Sequence, residues 1–191
     1  MYDIRKAILQ RRSIRKFDQR PVSNDILRDL VDMARMHASG GNLQPVRYGL
    51  VTSKAMCDKI FPHLKWAAYL PDFTILPEEE PTAYIILFKD ERARKSCQFD
   101  IGAAATTIML MAETYGLGTC CIGSFTAAPL TELFGLEPEI VPELVIAMGY
   151  PGEKSRAIPC VEGDIRYRRG ADGWLEVPKH SLEDVLVYTD L

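Results

Sequence analysis

Three short stretches hold the residue types best able to grip a ligand: Arg11-Arg12-Ser13-Ile14-Arg15, Ser39-Gly40-Gly41-Asn42-Leu43-Gln44-Pro45, and Ile122-Gly123-Ser124 following Cys121. The first concentrates three guanidinium groups and a hydroxyl in five residues. Guanidinium groups bind phosphate through paired N–H donors, and each charge-assisted bond contributes about 1.5–3 kcal/mol. Arg11 and Arg15 stand four apart, so a helix continued or a tight turn through them projects both to one side with Ser13 between. A solvated basic patch is the competing reading of the same residues. In the second stretch the glycines let the main chain approach closely, and Asn42 and Gln44 each offer the donor and acceptor that a pyrimidine edge needs. By itself that stretch also reads as a helix C-cap and polar loop. Backbone N–H groups from Ile122 to Ser124, beside a residue with no side chain, suit contact with a flat ring. An anion at one end and a polar heterocycle at the other describe a mononucleotide.

These residues need elements to hold them. Ile4, Ala7 and Ile8 have helical spacing over Asp3 to Gln10, so the basic stretch follows a helix end. Pro21 breaks the chain, and Ser23-Asn24-Asp25 supplies an N-cap and an acidic first turn for a helix running to about His37. Its Ile26, Leu27, Leu30, Val31 and Ala34 form one apolar stripe. The amide-bearing loop from Ala38 to Pro45 joins that helix to a strand at Tyr48 to Val51 and a short helix around Ala55 to Ile60. Residues 61–81 carry four prolines, the acidic Glu78-Glu79-Glu80 and the aromatics Trp66, Tyr69 and Phe73. They read as an excursion, either a lid or a packed surface loop.

Ala83 to Phe88 is the continuous apolar run of a strand covered on both faces. The helix predicted over Phe99 to Tyr115 is apolar on nearly every side, with Gly102, Ala103, Ala104, Ala105 and Ala112 small enough for close packing, so it belongs in a core or a subunit interface. Gly116-Leu117-Gly118 closes it. Strands at Thr119 to Ile122 and Glu143 to Met148 flank a helix at Ala128 to Phe134. Asp164 to Arg169 and Trp174 to Val177 form a hairpin around Gly170-Ala171-Asp172-Gly173, before a last helix from Ser181. With helices first and no regular βαβ alternation, the fold class is α+β, in a single domain spanning 1–191.

Composition narrows the function. With 191 residues, 47% hydrophobic and 26% charged, the chain can bury a substantial core. A net charge of −3 argues against general nucleic-acid binding, which depends on an excess of cations. The N-terminal residues lack the apolar run of a signal peptide and no stretch is long enough to span a bilayer, so a cytoplasmic, non-membrane protein is expected. Cys57, Cys97, Cys120, Cys121 and Cys160 have no C-x-x-C spacing and read as reduced, mostly buried thiols, with Cys120 and Cys121 on opposite faces of a strand. His37, His63 and His180 are scattered, and no metal site is expected. Neither G-x-x-x-x-G-K-[ST] nor G-x-S-x-G is present.

Taken in order, the motifs resemble those of the nitroreductase family. The likeness rests on Arg-Arg-Ser-x-Arg at Arg11 to Arg15, Ser-x-x-Asn-x-Gln-Pro at Ser39 to Pro45, and Asp100-Ile101-Gly102-Ala103-Ala104 opening the long helix. It continues through Gly116-Leu117-Gly118 leading to Cys121-Ile122-Gly123, Gly149-Tyr150-Pro151, and Lys179 to Val185. The resemblance implies an α+β fold with a central mixed or antiparallel sheet flanked by helices, and an intertwined homodimer with FMN at the interface. It implies a flavoprotein oxidoreductase that takes hydride from NADH or NADPH and reduces nitroaromatics, quinones or similar small acceptors by a ping-pong mechanism. Arg11, Arg12, Ser13 and Lys179 fall at the phosphate end, and Arg15 toward the ribityl chain and pyrimidine. Ser39, Asn42 and Gln44 reach the ring from the partner chain, and the backbone of Ile122, Gly123 and Ser124 faces the flavin N5. No side chain is needed as acid or base, so catalytic residues stay unassigned, and the excursion with Trp66 is where the acceptor is chosen. A non-redox flavin-binding or storage protein, or a specialised flavin enzyme such as a dehalogenase, also fits the resemblance.

Overall fold

The computed structural model describes residues 3–190. In chain order the elements are α1 (Ile4–Gln10), β1 (Phe17–Asp18), α2 (Asn24–Ala34), β2 (Val46–Val51), α3 (Lys54–Ile60), β3 (Ala83–Asp90) and α4 (Gln98–Thr114). They are followed by β4 (Gly118–Ile122), α5 (Ala127–Phe134), β5 (Ile140–Pro151), β6 (Ser155–Pro159), β7 (Arg168–Arg169), β8 (Leu175–Lys179) and α6 (Leu182–Val185).

The main sheet runs β2-β3-β5, and the other edge of β5 pairs with β4 from Gly149 to Val145 and with β1 at Tyr150 and Pro151. Every pairing in it is antiparallel. Because side chains alternate along a strand, β3 feeds two layers. Ile85 and Leu87 pack with Leu27, Leu30, Ala104 and Ile108 of α2 and α4. Tyr84, Ile86 and Phe88 pack with Cys57, Ile60 and Leu130 of α3 and α5. Helices on both faces explain why Ala83 to Phe88 is apolar without alternation, since all six residues are buried. Burying one Leu or Ile side chain contributes about 1.5–3 kcal/mol. The same alternation sends Cys120 into one layer and Cys121 against the other.

A smaller sheet joins β6 and β8 in parallel and β8 to β7 as the predicted hairpin, closed by Gly170 N–H to the Trp174 carbonyl at 2.8 Å. α2 stops at Ala34, short of His37, because Met36 and His37 donate to Met33 and Ala34 in a tightened final turn. β5 extends well beyond Glu143 to Met148, carrying Pro142 and Pro151 within it. Among the described residues no helix is long and apolar enough to cross a membrane.

Candidate functional site

The basic stretch does not continue α1. Arg11 caps that helix with an extended ψ of 128°, and Ile14 N–H donates to the Thr119 carbonyl at 2.9 Å, so residues 13–14 lie along β4. Arg11, Ser13 and Arg15 are thus related by the two-residue period of extended chain, which corrects the helical or tight-turn geometry expected from their spacing. Two glycines permit this course. A Cβ on Gly118 would stand 2.8 Å from Ile14 Cβ, and one on Gly152 would meet the Phe17 main chain at 3.0 Å.

The arginines then separate. Arg11 and Arg12 line a cleft with Glu113, Lys154 and Trp174. Arg12 donates to the carbonyls of Leu9, at 2.8 Å, and Arg11, which commits it to the end of α1. Burial and the neighbouring Arg11 charge lower its pKa, with Glu113 pulling the other way. Arg15 lines a different cavity of about 180 Å³, shared with Lys65, Trp66, Cys121, the Ile122–Ser124 backbone and Tyr167. Among the described residues, none that lines it carries a carboxylate.

Within that cavity several donors are uncommitted. Arg15 Nη1 and Trp66 Nε1 are buried without a hydrogen-bond partner. Among the described residues the backbone N–H groups of Gly123 and Ser124 take no part in a turn, loop or side-chain hydrogen bond. Both residues are exposed at the end of β4, and a Cβ on Gly123 would meet nothing nearer than Leu144 at 4.0 Å. Arg15 is anchored through its own N–H, which donates to Glu153 Oε1 at 2.7 Å. Its guanidinium carbon lies 4.7 Å from the Tyr167 ring centroid.

The excursion forms one wall. Lys65 N–H donates to the Ser124 carbonyl at 3.0 Å, and Thr126 N–H donates to the His63 carbonyl at 3.0 Å. Its far end docks on the strand-like segment after Arg15, through a Lys16–Glu79 ion pair of 2.7 Å. Cys121 Sγ sits 3.4 Å from Met109 Sδ, and burial pushes its thiol up to about 12.

The other predicted residues lie elsewhere in this chain. Ser39 donates to Asp100 Oδ1 at 2.5 Å and accepts from Gln44 N–H at 3.0 Å. Asn42 and Gln44 have φ of 54° and 47°, the left-handed region that ordinarily favours glycine; both side chains are exposed, and the Gln44 side-chain amide N–H donates back to the Asn42 carbonyl at 3.4 Å. That loop leads into β2, three strands across the sheet from β4. Lys179 is exposed at the end of β8, its carbonyl accepting from Cys160 N–H at 2.8 Å. One chain therefore joins Arg15 to Ile122, Gly123 and Ser124, and leaves Ser39, Asn42, Gln44 and Lys179 apart from them. Glu153, Tyr167 and Lys65 were not legible as site residues, since no local motif marks them and Glu153 is 138 positions from Arg15.

A model of the nitroreductase family matches residues 8–150, and the chain belongs to that family. A protein of Methanothermobacter thermautotrophicus, provisionally designated an NADH dehydrogenase/NAD(P)H nitroreductase, is 30% identical over 158 residues, covering 79% of this chain and 78% of its own. The NAD(P)H-type FMN reductase of Bacillus subtilis is 28% identical over 174 residues, covering 83% of this chain and 70% of its own. A Desulfovibrio desulfuricans protein crystallised with FMN shares the fold at a TM-score of 0.74 and 23% identity, covering 100% of this chain and 99% of that one.

Proposed function

We propose that this protein is an FMN-dependent oxidoreductase that draws on NADH or NADPH and reduces nitroaromatics, quinones or similar small acceptors in ping-pong alternation. The observation that carries the reading is the cavity at the end of β4, where an unpartnered Arg15 Nη1 and the free N–H groups of Gly123 and Ser124 meet with no carboxylate among the described residues to oppose them. Those groups fit the electron-rich pyrimidine edge and N5 region of a flavin. Bound FMN would supply hydride uptake from NAD(P)H and delivery to the acceptor.

The chain's own residues bind and orient. Arg15 places a fixed cation where reduction builds negative charge, which favours the reduced cofactor. Gly123 leaves the ring room to lie against β4. Arg11 and Ser13, with Lys179, serve the phosphate, while Arg12 caps α1. Residues 61–81 close the cavity on the acceptor side as part of the same domain.

A second copy completes the site. The cavity of about 180 Å³ falls below the roughly 300–1,000 Å³ typical of small-molecule sites, and the amide loop lies across the sheet from it. Phe99 on α4 is 92% exposed, and Leu182, Val185, Val187 and Tyr188 near the C-terminus are exposed too. Apolar surface of this extent on α4 and the last segment suits a homodimer in which Ser39, Asn42 and Gln44 of one protomer reach the flavin of the other. The five cysteines are all free thiols, as a reducing cytoplasm keeps them.

Anaerobic titration tests the reading. The yellow flavin absorbance of the FMN-loaded protein should bleach with one equivalent of NADH or NADPH and recolour with a quinone or nitroaromatic. A flavin that neither nicotinamide reduces would indicate a storage protein.

A further inference from the structure

We propose that Tyr167 is a positioning residue for Arg15, so that the β7–β8 hairpin region sets how the guanidinium meets a ligand in the β4 cavity. The inference rests on the FMN reading of that cavity.

Arg15 has a long side chain whose freedom must be restrained if it is to present its donors in one direction, and that restraint costs up to about 2 kcal/mol of rotamer entropy. The usual device is a carboxylate. Among the described residues no ion pair includes the Arg15 side chain, and its Nη1 has no hydrogen-bond partner. What stacks on it is the Tyr167 ring, 4.7 Å from the guanidinium carbon. An acid there would neutralise the cation and occupy its N–H edge. An aromatic face attracts the cation while leaving both charge and donors for a ligand.

The ring is itself held. Tyr69 lies against it at 5.1 Å between centroids, and Tyr69 N–H donates to the Tyr167 hydroxyl at 3.4 Å. One carboxylate ties the two sides of the stack together. Glu153 accepts the Arg15 N–H at 2.7 Å through Oε1 and pairs with Arg169, two residues beyond Tyr167, at 3.0 Å through Oε2. Only 4% of the Glu153 side chain is exposed, so the carboxylate end of this tie is shielded from solvent, while its Arg169 end is 38% exposed. Tyr69 belongs to the excursion, which couples that wall of the cavity to Arg15 through the same ring.

The test compares FMN affinity, by flavin fluorescence quenching, and the midpoint potential of bound FMN across variants. Tyr167→Phe keeps the aromatic face and gives up only the long 3.4 Å bond from Tyr69 N–H, so it should lose far less than Tyr167→Met in both. Tyr167→Met keeps bulk but not the face. It should weaken FMN binding by about two- to thirtyfold, the equivalent of 0.5–2 kcal/mol, and lower the potential. Fluorinated phenylalanines at 167 keep the ring's shape and guard against a Tyr167→Met protein that does not fold. Affinity and potential should fall stepwise as fluorine withdraws electron density. A flat response across the fluorinated series, or a Tyr167→Phe loss as large as that of Tyr167→Met, overturns the proposal while leaving FMN binding intact. A wild type that takes up no FMN overturns the underlying reading, and the proposal with it.

Discussion

Ile14 is pressed against Gly118 so closely that a single added methyl on the glycine would lie 2.8 Å from the Ile14 Cβ. The contact sets the course of the chain into Arg15, because Ile14 is also hydrogen-bonded to Thr119 at 2.9 Å. Gly118→Ala must therefore push residues 13–15 off β4. Overpacking of this kind costs about 1–3 kcal/mol. Urea unfolding should show that loss, and FMN affinity should fall with it; a variant of unchanged stability would mean the segment yields freely.

Arg15→Ala removes the only guanidinium that lines the cavity among the described residues. With a charge-assisted bond worth about 1.5–3 kcal/mol, FMN affinity should drop roughly ten- to 150-fold. Arg12→Ala, by contrast, takes away a cap on α1 and should lower thermal stability more than it lowers affinity. Equilibrium dialysis against FMN distinguishes the two.

Trp66 brings a buried, unpartnered indole N–H to the cavity wall, with Phe61 packed against its ring at 5.7 Å. Trp66→Ala should change the ranking of kcat/KM across a panel of nitroaromatics and quinones while NAD(P)H oxidation at saturating acceptor changes little. Identical rankings would remove the excursion from acceptor choice.

Burial raises the thiol of Cys121 from an ordinary 9.0 to about 12 and that of Cys57 to about 11. An acid whose folded pKa is raised ionises first in the unfolded chain, so the unfolded state holds fewer protons above pH 9. Stability from these thiols is present below that pH and is lost as pH rises toward 11 and 12. Each contributes a slope of up to about 1.4 kcal/mol per pH unit in that window. Urea midpoints measured from pH 8 upward should fall more steeply for the wild type than for a Cys57→Ala, Cys121→Ala protein.

What the sequence disclosed and what it withheld follow from the range of the interactions. β3 was legible because both faces of Ala83 to Phe88 are buried and the run shows it directly. The β7–β8 hairpin was legible because Gly173, at φ 81°, is a local requirement of its turn. β5 outruns the expected Glu143 to Met148 because Pro142 and Pro151 sit where the strand pairs on one edge alone, Pro142 with Phe88 of β3 and Pro151 with Phe17 of β1, so their missing N–H groups break no ladder between two partners. The chemistry of Arg15 was visible, but its surroundings were not. Glu153 and Tyr167 reach it only through the sheet, and no periodicity within residues 11–15 distinguishes an extended segment from a helical turn. The parting of Arg11 from Arg15 into two cavities followed from the same extended course.

The most direct measurement is a crystal structure of the wild-type protein grown with FMN. The account predicts a dimer with flavin density against Ile122 to Ser124, the pyrimidine edge within hydrogen-bond distance of Arg15 Nη1, and Asn42 or Gln44 of the partner protomer at the ring. Flavin seated away from β4, or a monomer that remains colourless with FMN in excess, would contradict it.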